Sequence, residues 1–269
     1  MTLWADALTC NRNCECWPIY SGEIVAALPQ AVGALLDERH AHLFAETGVF
    51  LSASDLLSMT GQITAIEKVA QQPGYLARVL DDSPDCEQQR ATRGLLMGYD
   101  FHLSAGGPKL IEINTNAGGA FLTRHMMQTL DLSSPFATET GSETERDSEA
   151  LLVEMFVSEW RLAGRSGLPG TIVIVDESPE SEYLYSDMCL AARVLRRHFE
   201  RVIVAGVDAL RYEHGRLWVR SESTQRSQRR EAVDLVYNRL TDFALSRQSA
   251  RALRMSWLAD AAVVSPSPR

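Results

Sequence analysis

The chain has 269 residues, a net charge of −9 and 45% hydrophobic residues, which is enough for one large folded domain or two small ones. The acidic balance leaves no large basic surface for nucleic acid or an anionic membrane. No apolar run is long enough to span a bilayer and the N-terminus lacks the form of a signal peptide, so the expected location is the cytoplasm.

Residues 1–20 show no clear periodicity and read as a loose lead-in. Within them Cys10-x3-Cys14-x-Cys16 matches no justified metal-ligand spacing, and the odd count of five cysteines, with Cys86 and Cys189, argues for reduced thiols. Residues 21–131 read as a helical region that includes a hairpin. Ile24, Ala27, Leu28, Val32, Leu35 and Leu36 recur at helical spacing, predicting one helix over 22–38. Ser52 and Ser54 offer caps for a second helix, with Leu56, Met59, Ile63, Ile66 and Ala70 on one face. Pro73-Gly74 breaks it before a further helical turn over 75–80.

Residues 97–122 read MGYDFHLSAGGPKLIEINTNAGGAFL. Two alternating runs flank a Gly-rich turn, the signal of a hairpin. A five-residue loop over 104–108 pairs Leu103 with Lys109 and sets Asp100 opposite Glu112 and Gly98 opposite Asn114. Like charges paired across a sheet repel, and a divalent cation between them would turn that liability into a site. The other reading is a solvated hairpin face. Thr115–Gly119 follows as a small-residue loop able to admit a phosphate to its backbone N–H groups, and residues 120–130 read as a helix.

Residues 132–148 are rich in Ser, Thr and Glu and read as a linker. Residues 149–269 form an α/β segment. A helical face at 152–163 precedes TIVIV (171–175), RVIVA (201–205) and VDLVY (233–237). These apolar runs predict strands of a parallel sheet covered on both faces, with a helix over 183–199 between the first two. Residues 210–212 and 216–219 read as a hairpin, 221–231 as exposed chain, 242–258 as mostly helix and 261–264 as a last strand. Asn238-Arg239 and Asp176-Glu177 fall at carboxyl ends of strands, where open α/β sheets bind ligands. Arg239 could clamp a carboxylate or phosphate beside Asn238, or pair with Asp242 at the surface. Asp176 could position an amine, or belong to a helix N-terminal acidic cluster.

Asp100 followed by Glu112-x-Asn114 resembles the metal-binding end of the ATP-grasp superfamily. Because this motif precedes the strand–helix–strand region, the order resembles the circularly permuted branch that includes glutathionylspermidine-synthase-like carboxylate–amine ligases. IVIVDESPESEYLY and VDLVYNRLTDF resemble the same branch. The resemblance implies a partial ATP-grasp lobe joined to a Rossmann-like sheet domain. It makes Asp100, Glu112 and Asn114 ligands of Mg²⁺ (or Mn²⁺), and Asn116, Gly118 and Gly119 loop contacts to ATP. Its place at a strand end makes Arg239 the candidate catalytic and substrate-binding residue, with Asn238 and Asp176, also at strand ends, as further substrate-binding candidates. The implied reaction is ATP-dependent joining of a small carboxylate to an amine. The family's lysine-bearing lobe has no match: the only lysines, Lys68 and Lys109, lie in a predicted helix and at the hairpin turn, and no P-loop replaces them. A truncated ligase is therefore one expectation. The other is a non-catalytic α/β module that binds a small carboxylate or peptide.

Overall fold

A computed structural model describes residues 7–13, 19–36, 40, 42–80, 91–133, 141–221 and 229–268. Cys14, Cys16 and Cys86 lie outside them. The first helix, α1 (Ala7–Asn13), falls within the expected lead-in. It is tied down by Asn11, whose side chain both donates to and accepts from the backbone of Phe50, each at 2.8 Å. The single helix expected over 22–38 is instead two, α2 (Ser21–Ala27) and α3 (Gln30–Gly33). Pro29 breaks it: proline lacks an N–H and forces the preceding residue out of the helical region, and Leu28 has ψ 150°. Next comes α4 (Ala53–Ala70), capped by Ser52, whose Oγ accepts from the Asp55 N–H at 3.0 Å. Its expected apolar face is only half-buried, and Leu56 is exposed. The short α5 (Pro73–Leu80) starts on proline.

Strands β1 (Gly98–His102) and β2 (Lys109–Asn114) form an antiparallel hairpin. Gly98 opposes Asn114 and Asp100 opposes Glu112, as the sequence predicts. The turn end differs. His102, not Leu103, pairs with Lys109, because the register shifts after Asp100 and leaves Ile111 as an extra residue in β2. The bulge confines the expected register to the end that carries the acids.

Helices α6 (Ala120–Ser133) and α7 (Gly141–Leu162) follow. Residues 141–148, expected in the linker, are the first two turns of α7; 134–140 lie outside the described residues. Leucines and aromatics further along α7 supply the packing that carries a polar start into a helix.

The rest alternates: β3 (Thr171–Asp176), α8 (Tyr185–Leu195), β4 (Arg201–Gly206), β5 (Leu210–Glu213), β6 (Arg216–Ser221), β7 (Arg229–Ala232), β8 (Leu235–Asn238), α9 (Arg251–Leu258) and β9 (Val263–Ser265). Four strands form a parallel sheet in the order β4-β3-β8-β9. Its apolar runs are buried on both faces. Ile172 and Ile174 join one core with α2, α6, α7 and α8; Val173 and Val175 join another with α9 and the small sheet β5-β6-β7. Part of the chain expected to be exposed over 221–231 is strand β7, whose Glu231 pairs with Arg201 of β4. The helix expected from 242 starts only at Gln248–Ala250, as a 3₁₀ turn before α9. Asp242 explains the delay, since its carboxylate accepts from Ser246 Oγ (2.9 Å) and the Arg247 N–H (2.8 Å) and holds a turn in place of a helix.

Among the described residues no helix is long and apolar enough to cross a membrane. The molecule is thus a mixed α/β fold around a four-stranded parallel sheet.

Candidate active site

From β3 the chain goes to β4 on one side, and β8 lies on the other. The carboxyl ends of β3 and β8 therefore diverge at a topological switch point, the usual place for a ligand in such sheets. Asp176 ends β3, and Arg239 follows β8. The hairpin faces this edge across a cleft of about 410 Å³. Gly98, Asp100 and Asn114 line one wall; Asp176, Glu177, Glu182, Arg239 and Thr241 line the other, with residues 116–118 between them.

The loop after Asn114 is bolted to β8 by three contacts. Tyr237 Oη donates to the Ala117 carbonyl at 3.1 Å, Asn116 Nδ2 donates to the Leu240 carbonyl at 3.0 Å, and Arg239 Nη1 donates to the Asn116 carbonyl. Tyr237 itself is fixed in the core, edge-on to Phe156 at 5.7 Å. Burial pushes its phenol far above the ordinary range, so it stays a neutral donor. The Arg239 guanidinium lies 5.7 Å from the centre of the Tyr237 ring, close enough for a cation–π contact. Arg239 thus holds the loop as well as facing the cleft, and it does not pair with Asp242.

Gly118 packs directly against this arginine. A Cβ there would run into Arg239 Nη2 and come within 2.7 Å of Leu184 Cδ1. Gly118→Ala is expected to push the loop off Arg239 and cost about 1–3 kcal/mol in a denaturant melt.

Gly119 has φ +85°, a conformation suited to glycine, and its N–H donates to Asp187 Oδ2 at 3.0 Å. The N–H groups of Phe121 and Leu122 donate to Asp187 Oδ1 at 3.0 and 2.9 Å. An acid from α8 therefore fills the N-terminus of α6, the place where a bound anion would otherwise fit. Burial raises the pKa of Asp187, opposed by these three N–H groups and the charge of Arg239.

The predicted residues do not all converge. Asp100, Asn114, Asn116, Gly118, Asp176 and Arg239 line the cleft. Glu112 opposes Asp100 across the hairpin but does not line the cleft. Gly119 turns its N–H to Asp187. Asn238 is buried and serves the backbone: it donates to the Pro266 carbonyl at 3.3 Å and accepts from the Leu240 N–H at 3.1 Å. Glu182, Thr241 and Asp187 are additions. Only a contact across 65 or more residues gives Asp187 its role, so its local sequence carried no signal.

Asp100, Glu112 and Asn114 supply two carboxylates and an amide, the hard oxygen donors that Mg²⁺ accepts, and Asn114 Nδ2 lies 3.3 Å from Asp100 Oδ2. Magnesium usually takes few protein ligands and completes its shell with water and phosphate, so this donor set fits it. Among the described residues no group of three or more His, Cys, Asp or Glu side chains gathers for a metal ion.

The opposite wall is acidic. Burial raises the Asp176 pKa to about 6; the neighbouring Glu182 and Glu177 charges add to this, while the Glu177 N–H and Arg239 work against it. A folded-state value above the unfolded one means that ionising Asp176 opposes folding, so stability falls as pH rises from about 4 to about 6. Asp176→Asn is expected to gain about 1–2 kcal/mol over the parent at pH 8 and almost nothing at pH 4, read from denaturant melts at both.

No family model matches the chain, and no curated protein matches it.

Proposed function

We propose that the cleft is the metal-side half of a nucleotide clamp in an ATP- and Mg²⁺-dependent carboxylate–amine ligase of the permuted ATP-grasp type. One observation carries the reading: Asp100, opposed by Glu112 across the hairpin, lines with Asn114 the cleft at the switch point of the parallel sheet. On this reading that sheet is the Rossmann-like substrate domain. In the reaction a substrate carboxylate oxygen attacks the γ-phosphorus of ATP, breaking its bond to the bridging oxygen and giving an acyl phosphate and ADP. The amine then attacks the acyl carbon, phosphate leaves, and the nitrogen loses a proton to give the amide. Bound Mg²⁺ (or Mn²⁺), held by Asp100, Glu112 and Asn114, would offset the charge on the transferring phosphoryl group. Among the described residues Arg239 is the one cationic side chain lining the cleft, placed to orient the substrate anion. Asp176, its pKa raised to about 6 by burial, is suited to take the amine proton.

A second reading is a non-catalytic module for a small carboxylate or peptide, in the cytoplasm and without a nucleic-acid or membrane partner. The Asp187 cap favours it, because it occupies amides that a phosphate would use. Calorimetric titration separates the two. The ligase reading expects Mg·ATP to bind and metal-free ATP not to. Heat from Mg²⁺ alone, unchanged by ATP, would favour the module.

A further inference from the structure

Glu159, on α7, is a buried acid with no part in the cleft chemistry. Phe156, one turn earlier on the same helix face, is fully buried in the core. An acid on such a face is costly unless its oxygens are hydrogen-bonded. Three donors satisfy it. Oε1 accepts from the Arg93 N–H at 2.8 Å, and Oε2 accepts from the Gly94 N–H at 3.2 Å and from Ser265 Oγ.

These donors lead to the two walls of the cleft. Arg93 and Gly94 run into the hairpin. Leu95 and Leu96 follow in the core, the Leu96 carbonyl accepts from the Ala117 N–H at 3.1 Å, and β1 starts at Gly98, which lines the cleft. Ser265 ends β9, where it is the register partner of Tyr237. The carbonyl of Pro266, the next residue, accepts from Asn238 Nδ2 at 3.3 Å. Tyr237 and Asn238 end β8, directly before Arg239. One side chain therefore ties the root of the hairpin to the pair of strands that carries Arg239.

We infer that Glu159 is a positioning residue: it sets the separation of the two walls, and with it the place of Asp100 and Asn114 relative to Arg239. The claim about the walls stands without the ligase reading, whereas its effect on metal affinity rests on that reading. An acid that served stability alone would, when weakened, loosen the fold evenly. A positioning residue frees one wall.

Amide hydrogen exchange of the full chain, read by mass spectrometry, tests it on Glu159→Gln, which keeps the shape of the side chain and one acceptor oxygen. Amides of the hairpin and of the loop over 115–118 are expected to exchange at least about tenfold faster, with β3 and β4 unchanged. Mn²⁺ affinity is expected to fall about threefold to tenfold. Asp234→Asn is the control. Asp234 accepts from the N–H groups of Gly170 and Thr171 at 2.9 and 2.8 Å, at the amino end of the sheet away from the cleft. It is expected to leave hairpin exchange and Mn²⁺ affinity at the parent values. Ser265→Ala removes only the link to β9 and is expected to speed hairpin exchange about threefold, which decides the matter should Glu159→Gln fail to fold. Unchanged hairpin exchange, an equal acceleration in β3 and β4, or the same hairpin response in Asp234→Asn would each overturn the inference. Failure of the parent to bind Mn²⁺ would remove the metal reading and leave hydrogen exchange to decide the positioning role.

Discussion

Asp187→Ala is expected to lower stability by about 3 kcal/mol, a fall of roughly 6–12 °C in melting temperature. The carboxylate is buried and satisfies the N–H groups of Gly119, Phe121 and Leu122. Truncation leaves those donors facing a small void, with water poorly placed to replace the acid. The loss is partly offset, because burial already makes ionised Asp187 unfavourable and raises its pKa. The stabilisation thus comes from well-placed acceptor oxygens more than from charge. Asp187→Asn tests this: Oδ1 can still serve Phe121 and Leu122, while the amide nitrogen opposes the Gly119 N–H. An intermediate loss, about half that of alanine, is expected by calorimetry. Equal losses in the two variants would place the stabilisation in charge instead.

Asp100→Asn is expected to weaken Mn²⁺ binding by at least about tenfold, with Glu112→Gln doing less. The difference follows from position, since Asp100 lines the cleft and Glu112 does not. Electron paramagnetic resonance of free Mn²⁺ during titration gives the affinity directly. Stability should move the other way. With no metal present the two acids repel across the hairpin, and removing either charge is expected to raise stability by about 0.2–1 kcal/mol. A site that weakens metal while strengthening the hairpin is distinguished from simple misfolding. Unchanged Mn²⁺ affinity in both variants would remove the metal assignment.

The parts legible in the sequence are those governed by local pattern. TIVIV and RVIVA announced buried parallel strands because both their faces are covered. The pairing of Asp100 with Glu112 was expected from a five-residue loop that would pair Leu103 with Lys109; the loop is one residue longer, and the bulge restores the expected register at the acids. The bulge was not legible, because the conformation of the turn, rather than the hydrophobic pattern, decides it. The break at Pro29 was written plainly, yet helical spacing on both sides masked it. Least legible were roles fixed by distant partners. Asn238 looked like a site residue and serves the backbone of residues 240 and 266. Asp187 falls within the helix expected over 183–199 and seats the N-terminus of α6, 65 or more residues earlier in the chain.

The core shared by α2, α6, α7, α8 and the sheet bears on the order of events during synthesis. Ile24, Phe121 and Leu122 emerge first, yet they bury against Phe156, Met188 and Leu195, which the ribosome adds later. The Asp187 seat for α6 arrives late as well. Until then the hairpin can close locally and meet α4, through Gln62 to the Pro108 carbonyl and Tyr99 to Glu67, but its loop waits for its anchors on residues 237–240. The hairpin made first is therefore set in position last, by the strand that carries Arg239 at its end.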